Sequence, residues 1–390
     1  MVHLVSHLAL AASIASFVIA APAPDPFVTI PVAKGTSGNS FTAKDVVERD
    51  QGRIAHYNGR TFEKRTSSGI GFNQDVSYIA VVNICTQSFK LIVDTGSSNL
   101  WAGAGSTKPS TCGVAAGGTF SVRYGSGSVS GTERTGPVSY AGLTVAKQSF
   151  GSASSASGFR GVDGIIGFGP VGLTQGTVSG LSTVPTFMNN LKSAGIIAAE
   201  VLGVYFAPEI GSDTDDANGE LTLGGVDTRK YTGTLTYFPK STTYPYSFYW
   251  GITTAGLTYG STLLQGSANA IVDTGTTLLY IPTSAYSTFL RVAGGVTDSY
   301  SGFARFSTKP TGNFIMKIGL VNYPLTPAQY LVPLAQYAHF GLSSSYYYSW
   351  INNGGTNAAN VNFIIGQKFL ENYYSVYDTT NSRIGFATRT

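Results

Sequence analysis

Histidine is nearly missing from this 390-residue chain: there are four, and His3, His7 and His56 all fall within the first 56 residues. His339 alone remains beyond them, so a mechanism that needs paired imidazoles has no material. Cysteine is as scarce, with Cys85 and Cys112 alone. Two cysteines permit one disulfide, whose pairing the sequence leaves open, and with a single downstream histidine they fall short of the usual zinc ligand sets. Charged residues make up only 11% of the chain, against roughly a quarter in an average soluble domain. The formal net charge of +4 is too small to argue for a nucleic-acid or membrane-surface partner. No metal and no cofactor is expected.

What is present in quantity is glycine, 48 residues, within a chain that is 43% apolar. At about 150 residues per domain the length accommodates two packed domains. Short runs rich in β-branched and aromatic residues alternate with Gly, Ser, Asn and Pro: Val76 to Ile84, Ser88 to Val93, Thr119 to Tyr124, Val201 to Phe206, Thr234 to Phe238 and Tyr373 to Tyr377. The fold class is therefore all-β, of sandwich or barrel type. Helical spacing is confined to Pro185–Ser193, Thr283–Ala293 and, more weakly, Gln367–Asn372.

The N-terminus divides into two segments of different composition. Residues 1–20 form an uncharged apolar stretch that ends in small residues before Pro22, the pattern of a secretory signal peptide, so a secreted, extracellular product is expected. Residues 21–65 carry seven Lys or Arg (Lys34, Lys44, Arg49, Arg53, Arg60, Lys64, Arg65) and five acids, a density that drops sharply after Lys64–Arg65. A composition step at a dibasic pair reads as a processing boundary, which makes 21–65 a pro-segment.

The strongest feature is an internal repeat. Leu91-Ile92-Val93-Asp94-Thr95-Gly96-Ser97-Ser98 recurs 179 residues later as Ala270-Ile271-Val272-Asp273-Thr274-Gly275-Thr276-Thr277. Each copy is an apolar strand running into an acid, a hydroxyl residue, a turn-permitting glycine and two more hydroxyl residues. Each is followed by a matched partner, Ile165-Ile166-Gly167 or Ile364-Ile365-Gly366. A single Asp in such a turn ordinarily bonds its own backbone; two copies with shared flanks have no such independent explanation. If the halves pack about a pseudo-twofold axis, Asp94 and Asp273 face each other. Two carboxylates that close cannot both ionise cheaply, so they share a proton, one serving as base and the other as acid. Such a pair can deprotonate a water for attack on a peptide carbonyl.

On these residues the chain resembles pepsin-type aspartic endopeptidases, especially the secreted fungal polyporopepsin-like branch. The resemblance runs over the whole chain, leader segments included. It implies a bilobal fold, two pseudo-twofold-related β-barrel-like lobes at 66–208 and 209–390 with the active-site cleft between them, and a monomer that cleaves proteins or peptides. It makes Asp94 and Asp273 the catalytic aspartates. Ser97 and Thr276 become the hydroxyls that bond the outer carboxylate oxygens, and Thr95 and Thr274 the pair that locks the two loops together, with Gly96, Gly275 and Thr277 beside them. Val122 to Ser128 becomes a flap with Tyr124, Gly125 and Ser126 at its tip, and Trp101 steadies Tyr124. Ile92, Tyr124, Ile165 and Ile271 are implied to line apolar pockets, so hydrophobic residues on both sides of the cut bond are expected. Ser126 stands where some fungal members carry an acid, so weak cleavage after Lys is expected. The pro-segment is implied to act as an intramolecular inhibitor, with Lys34, Lys44 and the Arg53–Tyr57 region as blocking contacts.

Two further departures from the family pattern stand out. The hairpin through Ile84-Cys85-Thr86-Gln87 is about two residues short and has no proline. Cys112 lacks its usual near neighbour. Two other readings compete with catalysis by the aspartate pair. One is a pepsin-like protein that has lost activity and only binds. The other is a Cys–His peptidase using His339, which lacks a nucleophile motif.

Overall fold

The structure, a computed structural model, describes residues 27–34, 42–59, 77–109, 113–125, 127–159, 161–209, 211, 218–356 and 360–390. The signal peptide, Cys112 and Ser126 lie outside these residues, as does the side chain of Lys34.

The first part of the chain runs β1 (Val28–Lys34), α1 (Ala43–Tyr57), β2 (Tyr78–Ile84), β3 (Gln87–Asp94), β4 (Leu100–Ala102), β5 (Val114–Tyr124), β6 (Gly127–Tyr140), β7 (Leu143–Ser157), β8 (Gly164–Gly167), β9 (Val201–Tyr205) and β10 (Gly219–Leu223). The expected strands are all present, most of them a little longer than their apolar cores. The three expected helices occur at Phe187–Ser193, Thr283–Ala293 and Gln367–Leu370. The chain is thus mainly β, as its composition implied.

The repeat in sequence is also a repeat in topology. In the first copy β3 pairs in parallel with β8, β8 is antiparallel to β4, and β4 is parallel to β7. In the second, Ala268–Val272 pairs in parallel with Ile364–Ile365, which is antiparallel to Leu279–Ile281, itself parallel to Ile351–Asn353. Alternation explains how these strands sit: in β3, Phe89, Leu91 and Val93 are fully buried, while Ser88 and Lys90 on the other face are exposed.

The short hairpin between β2 and β3 closes through the two residues Cys85 and Thr86, with Ile84 opposite Gln87. Cys85 takes the positive φ, 53°, that two-residue hairpin turns demand, and its N–H donates to the carbonyl of Pro137. The turn needs no proline for this. Cys85 is disulfide-bonded.

Two elements of the charged N-terminal segment are built into the molecule. β1 lies between β10 and β2, with Val28 to Val32 in antiparallel register with Leu223 to Gly219. Helix α1 was not among the expected helices. Its start is marked by a capping box: the Thr42 hydroxyl accepts from the N–H of Asp45, and the Asp45 carboxylate accepts from the N–H of Thr42. Its buried residues are Ala43, Val46, Arg49, Asp50, Gly52, Arg53, Ile54 and Tyr57, mostly at helical spacing but with three ionic side chains among them. A stripe of that kind gives no apolar periodicity to read.

Candidate active site

Asp94 ends β3 and Asp273 follows the strand Ala268–Val272, so both project from the ends of buried strands into one place. Both are fully buried. Each turn places its hydroxyls and amides in the same way. Asp94 Oδ2 accepts from Ser97 Oγ at 2.6 Å and Oδ1 from the N–H of Gly96 at 2.9 Å. Asp273 Oδ2 accepts from Thr276 Oγ1 at 2.5 Å and Oδ1 from the N–H of Gly275 at 2.8 Å.

Two threonines tie the loops to each other. The N–H of Thr95 donates to Thr274 Oγ1 and the N–H of Thr274 to Thr95 Oγ1, both at 2.9 Å. Each hydroxyl then donates across the junction, Thr95 Oγ1 to the carbonyl of Val272 at 3.3 Å and Thr274 Oγ1 to that of Val93 at 3.0 Å. Four buried bonds thus fix the separation of the two carboxylates with little freedom left in either loop. The glycines are there for space. A Cβ on Gly275 would lie 2.4 Å from Asp94 Oδ1, and one on Gly96 would lie 2.6 Å from Asp273 Oδ1.

Between the carboxylates sits Arg53 of α1. Its Nη2 reaches Asp94 Oδ1 at 2.7 Å and Asp273 Oδ1 at 3.1 Å, and its Nε reaches Asp273 Oδ2 at 3.1 Å. Tyr57, one turn on, donates its hydroxyl to Asp273 Oδ2 at 2.7 Å. A guanidinium suits this position because its planar fork can serve two carboxylates at once. The two aspartates respond differently. Burial pushes the Asp94 carboxyl up from its ordinary value, with the neighbouring Asp273 charge adding to the effect and Arg53 opposing it. Asp273 suffers the same burial, but Arg53 together with bonds from Thr276, Tyr57 and the Gly275 N–H holds it below the usual carboxylate range. Like geometry with opposed shifts is what a proton-sharing pair requires.

One turn before Arg53, Asp50 is also fully buried in this region. Its Oδ2 accepts from the N–H groups of Thr277 and Leu278 at 3.1 and 3.0 Å, and its Oδ1 from Arg49, which in turn donates to Ser77 Oγ and Thr277 Oγ1. Of the blocking contacts expected from the pro-segment, Arg53 and Tyr57 reach the aspartates. Lys44 does not: it is a solvent-facing residue that pairs with Glu48 at 4.0 Å, because it points to the opposite side of α1 from Arg53. His56 is exposed as well.

Over the pair hangs the β5–β6 hairpin. Tyr124, at the end of β5, accepts a hydrogen bond from Trp101 Nε1 at 2.8 Å. Trp101 is fully buried, so it serves both the core and the hairpin. Phe159 packs edge-on against both rings, at 4.9 and 5.4 Å between centroids; sequence reasoning did not single it out. Ile165 stands opposite Ile92 across the β3–β8 pair and joins this cluster, whereas Ile271 belongs to a second cluster with Tyr57, Leu278 and Ile364. Arg49, Asp50 and Gly52 of α1 were also missed, the capping box ahead of them being the one available signal.

Comparison with known proteins agrees with this geometry. The family model described as Eukaryotic aspartyl protease matches residues 77–389. The chain is 43% identical over 327 residues to polyporopepsin of Irpex lacteus, covering 81% of this chain and 95% of the relative. It is 32% identical over 345 residues to gastricsin of Cavia porcellus, covering 80% of each. The crystal structure of the aspartic proteinase from Irpex lacteus superposes with a TM-score of 0.78 at 36% identity, over 93% of this chain and 98% of that one. With two symmetric Asp-Thr-Gly turns, a family match from residue 77 to residue 389 and a shared tertiary structure, the chain belongs to the eukaryotic aspartyl protease family.

Proposed function

We propose that this aspartic endopeptidase is made as a secreted zymogen, with lobes at 66–208 and 209–390, and that it cuts between hydrophobic residues in acid through Asp94 and Asp273. The observation that carries the reading is the buried Arg53 guanidinium shared by both carboxylates. A cation from the N-terminal segment occupies the place a substrate carbonyl and its attacking water would need.

Once that segment is gone, the pair holds one proton between two carboxylates. The ionised member takes a proton from water as the oxygen attacks the scissile carbonyl carbon, while the protonated member donates to the carbonyl oxygen. The resulting gem-diol collapses with cleavage of the C–N bond as the aspartate that took the water proton gives it to the leaving nitrogen and the other aspartate takes a proton from a gem-diol hydroxyl, which restores the shared proton. Ser97 and Thr276 hold the outer oxygens by donating to them, and the Thr95–Thr274 lock keeps the carboxylates at working distance. Tyr124, fixed by Trp101, closes over the bound peptide. The apolar surroundings of Ile92, Tyr124, Ile165 and Ile271 support a hydrophobic preference.

The same charges account for control by pH. Arg53 and Tyr57 favour ionised Asp273, so their hold persists above the ordinary carboxylate range and is lost as the pH falls through that range and below it. Acidification therefore loosens the helix and supplies the proton that catalysis needs. Replacing Asp94 or Asp273 by Asn and assaying the processed protein on an acid-denatured substrate tests the reading: turnover should vanish with the circular dichroism unchanged. Retained turnover in either variant, or full activity at pH 8, would overturn it.

A further inference from the structure

Gly52 lies in the interior of α1, where glycine is the least favoured residue after proline. Its φ is not positive, so backbone freedom does not explain it. Space does. A Cβ there would stand 2.1 Å from the carbonyl oxygen of Gly125 and 2.6 Å from its carbonyl carbon. The reverse holds too: a Cβ on Gly125 would stand 1.8 Å from the carbonyl carbon of Gly52 and 1.9 Å from the nitrogen of Arg53. Gly125 has no positive φ either. Each glycine is required by the other, and the tip of the β5–β6 hairpin rests backbone to backbone on the helix beside Arg53.

We propose that Gly52 is a positioning residue for autoinhibition: its contact with Gly125 is a latch that lets the hairpin close over α1 and keeps Arg53 seated between the aspartates. This rests on the reading of residues 42–59 as an inhibitory pro-segment. Closure is self-reinforcing, because the hairpin that will later cover substrate first covers the inhibitor, with Tyr124 held down on its far side by Trp101. A side chain at 52 props the hairpin open, exposes the Arg53 clamp to water and weakens it.

The test is Gly52→Ala in the full-length precursor, because position 52 is absent after processing and the mature enzyme is unchanged. A merely structural role and the latch predict opposite signs. As a better helix former, alanine should slow opening if Gly52 only weakens the helix. The latch requires acid activation at least about fivefold faster, the lower range of what overpacking costs a fitted contact. Amide hydrogen exchange at pH 7 over residues 122–124 and 128–130 should also accelerate in Gly52→Ala, a readout independent of turnover. The conservative control Lys44→Ala, on the exposed face of α1, should leave both unchanged. Activation unchanged or slower in Gly52→Ala, with exchange unchanged, refutes the latch. Full activity in the unprocessed wild-type chain refutes the pro-segment reading itself.

Discussion

Glu133 on β6 makes a stringent test of how burial sets the pH range of this fold. It is 1% exposed, directly opposite Gly151 of β7, which also pairs with Trp101. Oε1 accepts a hydrogen bond from Ser149 Oγ, while Oε2 has no partner among the described residues. Burial pushes its carboxyl up from 4.5 to about 7, partly offset by the Ser149 bond. The folded value exceeds the unfolded one, so the neutral acid is the form the fold prefers. Below about pH 4.5 there is no penalty; it grows as the pH rises from there and levels off above about 7. At roughly 1.4 kcal/mol for each pH interval between the two values, the ionised fold loses about 3 kcal/mol by pH 8. That is a sizeable part of a typical folding free energy of about 5–15 kcal/mol. Glu133→Gln keeps the shape and removes the charge. Unfolding midpoints of the two proteins, both in an Asp273→Asn background to suppress autolysis, should be read at pH 4, 5.5, 7 and 8. The variant should be no more stable at pH 4, should gain between pH 5.5 and 7, and should gain little more by pH 8. Parallel curves across that range would refute the reasoning.

Three further outcomes follow from the site. Arg53→Ala leaves Asp94 and Asp273 buried without their cation, so the precursor should bind a statine-type peptide at pH 6 where the parent does not; titration of inhibitor fluorescence measures this. Trp101→Phe removes the N–H that Tyr124 accepts and should lower kcat/KM about tenfold on a peptide substrate, with the fold retained. Thr274→Val deletes one hydroxyl that both accepts from the Thr95 N–H and donates to the Val93 carbonyl, leaving a buried donor and acceptor unmatched. Denaturant unfolding should show a loss of about 2–4 kcal/mol.

The proposed acid release of Arg53 from Asp273 and the latch meet in helix α1, whose ionic face also explains what could be read in advance. Asp94, Asp273 and their hydroxyl partners were legible because each is part of a local eight-residue pattern, and repetition of that pattern is visible without knowing where the chain goes. The β-strands were legible because burial of one face imposes alternation. Arg49 and Asp50 were read only as charge in a charged segment, and Arg53 was singled out as a blocking contact only through the family resemblance, since an ion buried by a partner more than 200 positions away looks locally like a solvated one. Lys44 was taken for a blocking contact on the same grounds and proved to face solvent.

By itself, then, the sequence determined the chemistry on offer: two matched aspartates, hydroxyls at fixed offsets and almost no histidine to compete with them. These are consequences of short-range geometry, where an Asp-Thr-Gly turn dictates which hydroxyl and amide meet the carboxylate. The tertiary structure decided everything that depends on two distant segments sharing a place. It set the Thr95–Thr274 lock, the opposed acidities of Asp94 and Asp273, and the seating of Arg53 beneath a hairpin that only two glycines allow to close. Distance through space is set by packing, and no local pattern encodes it.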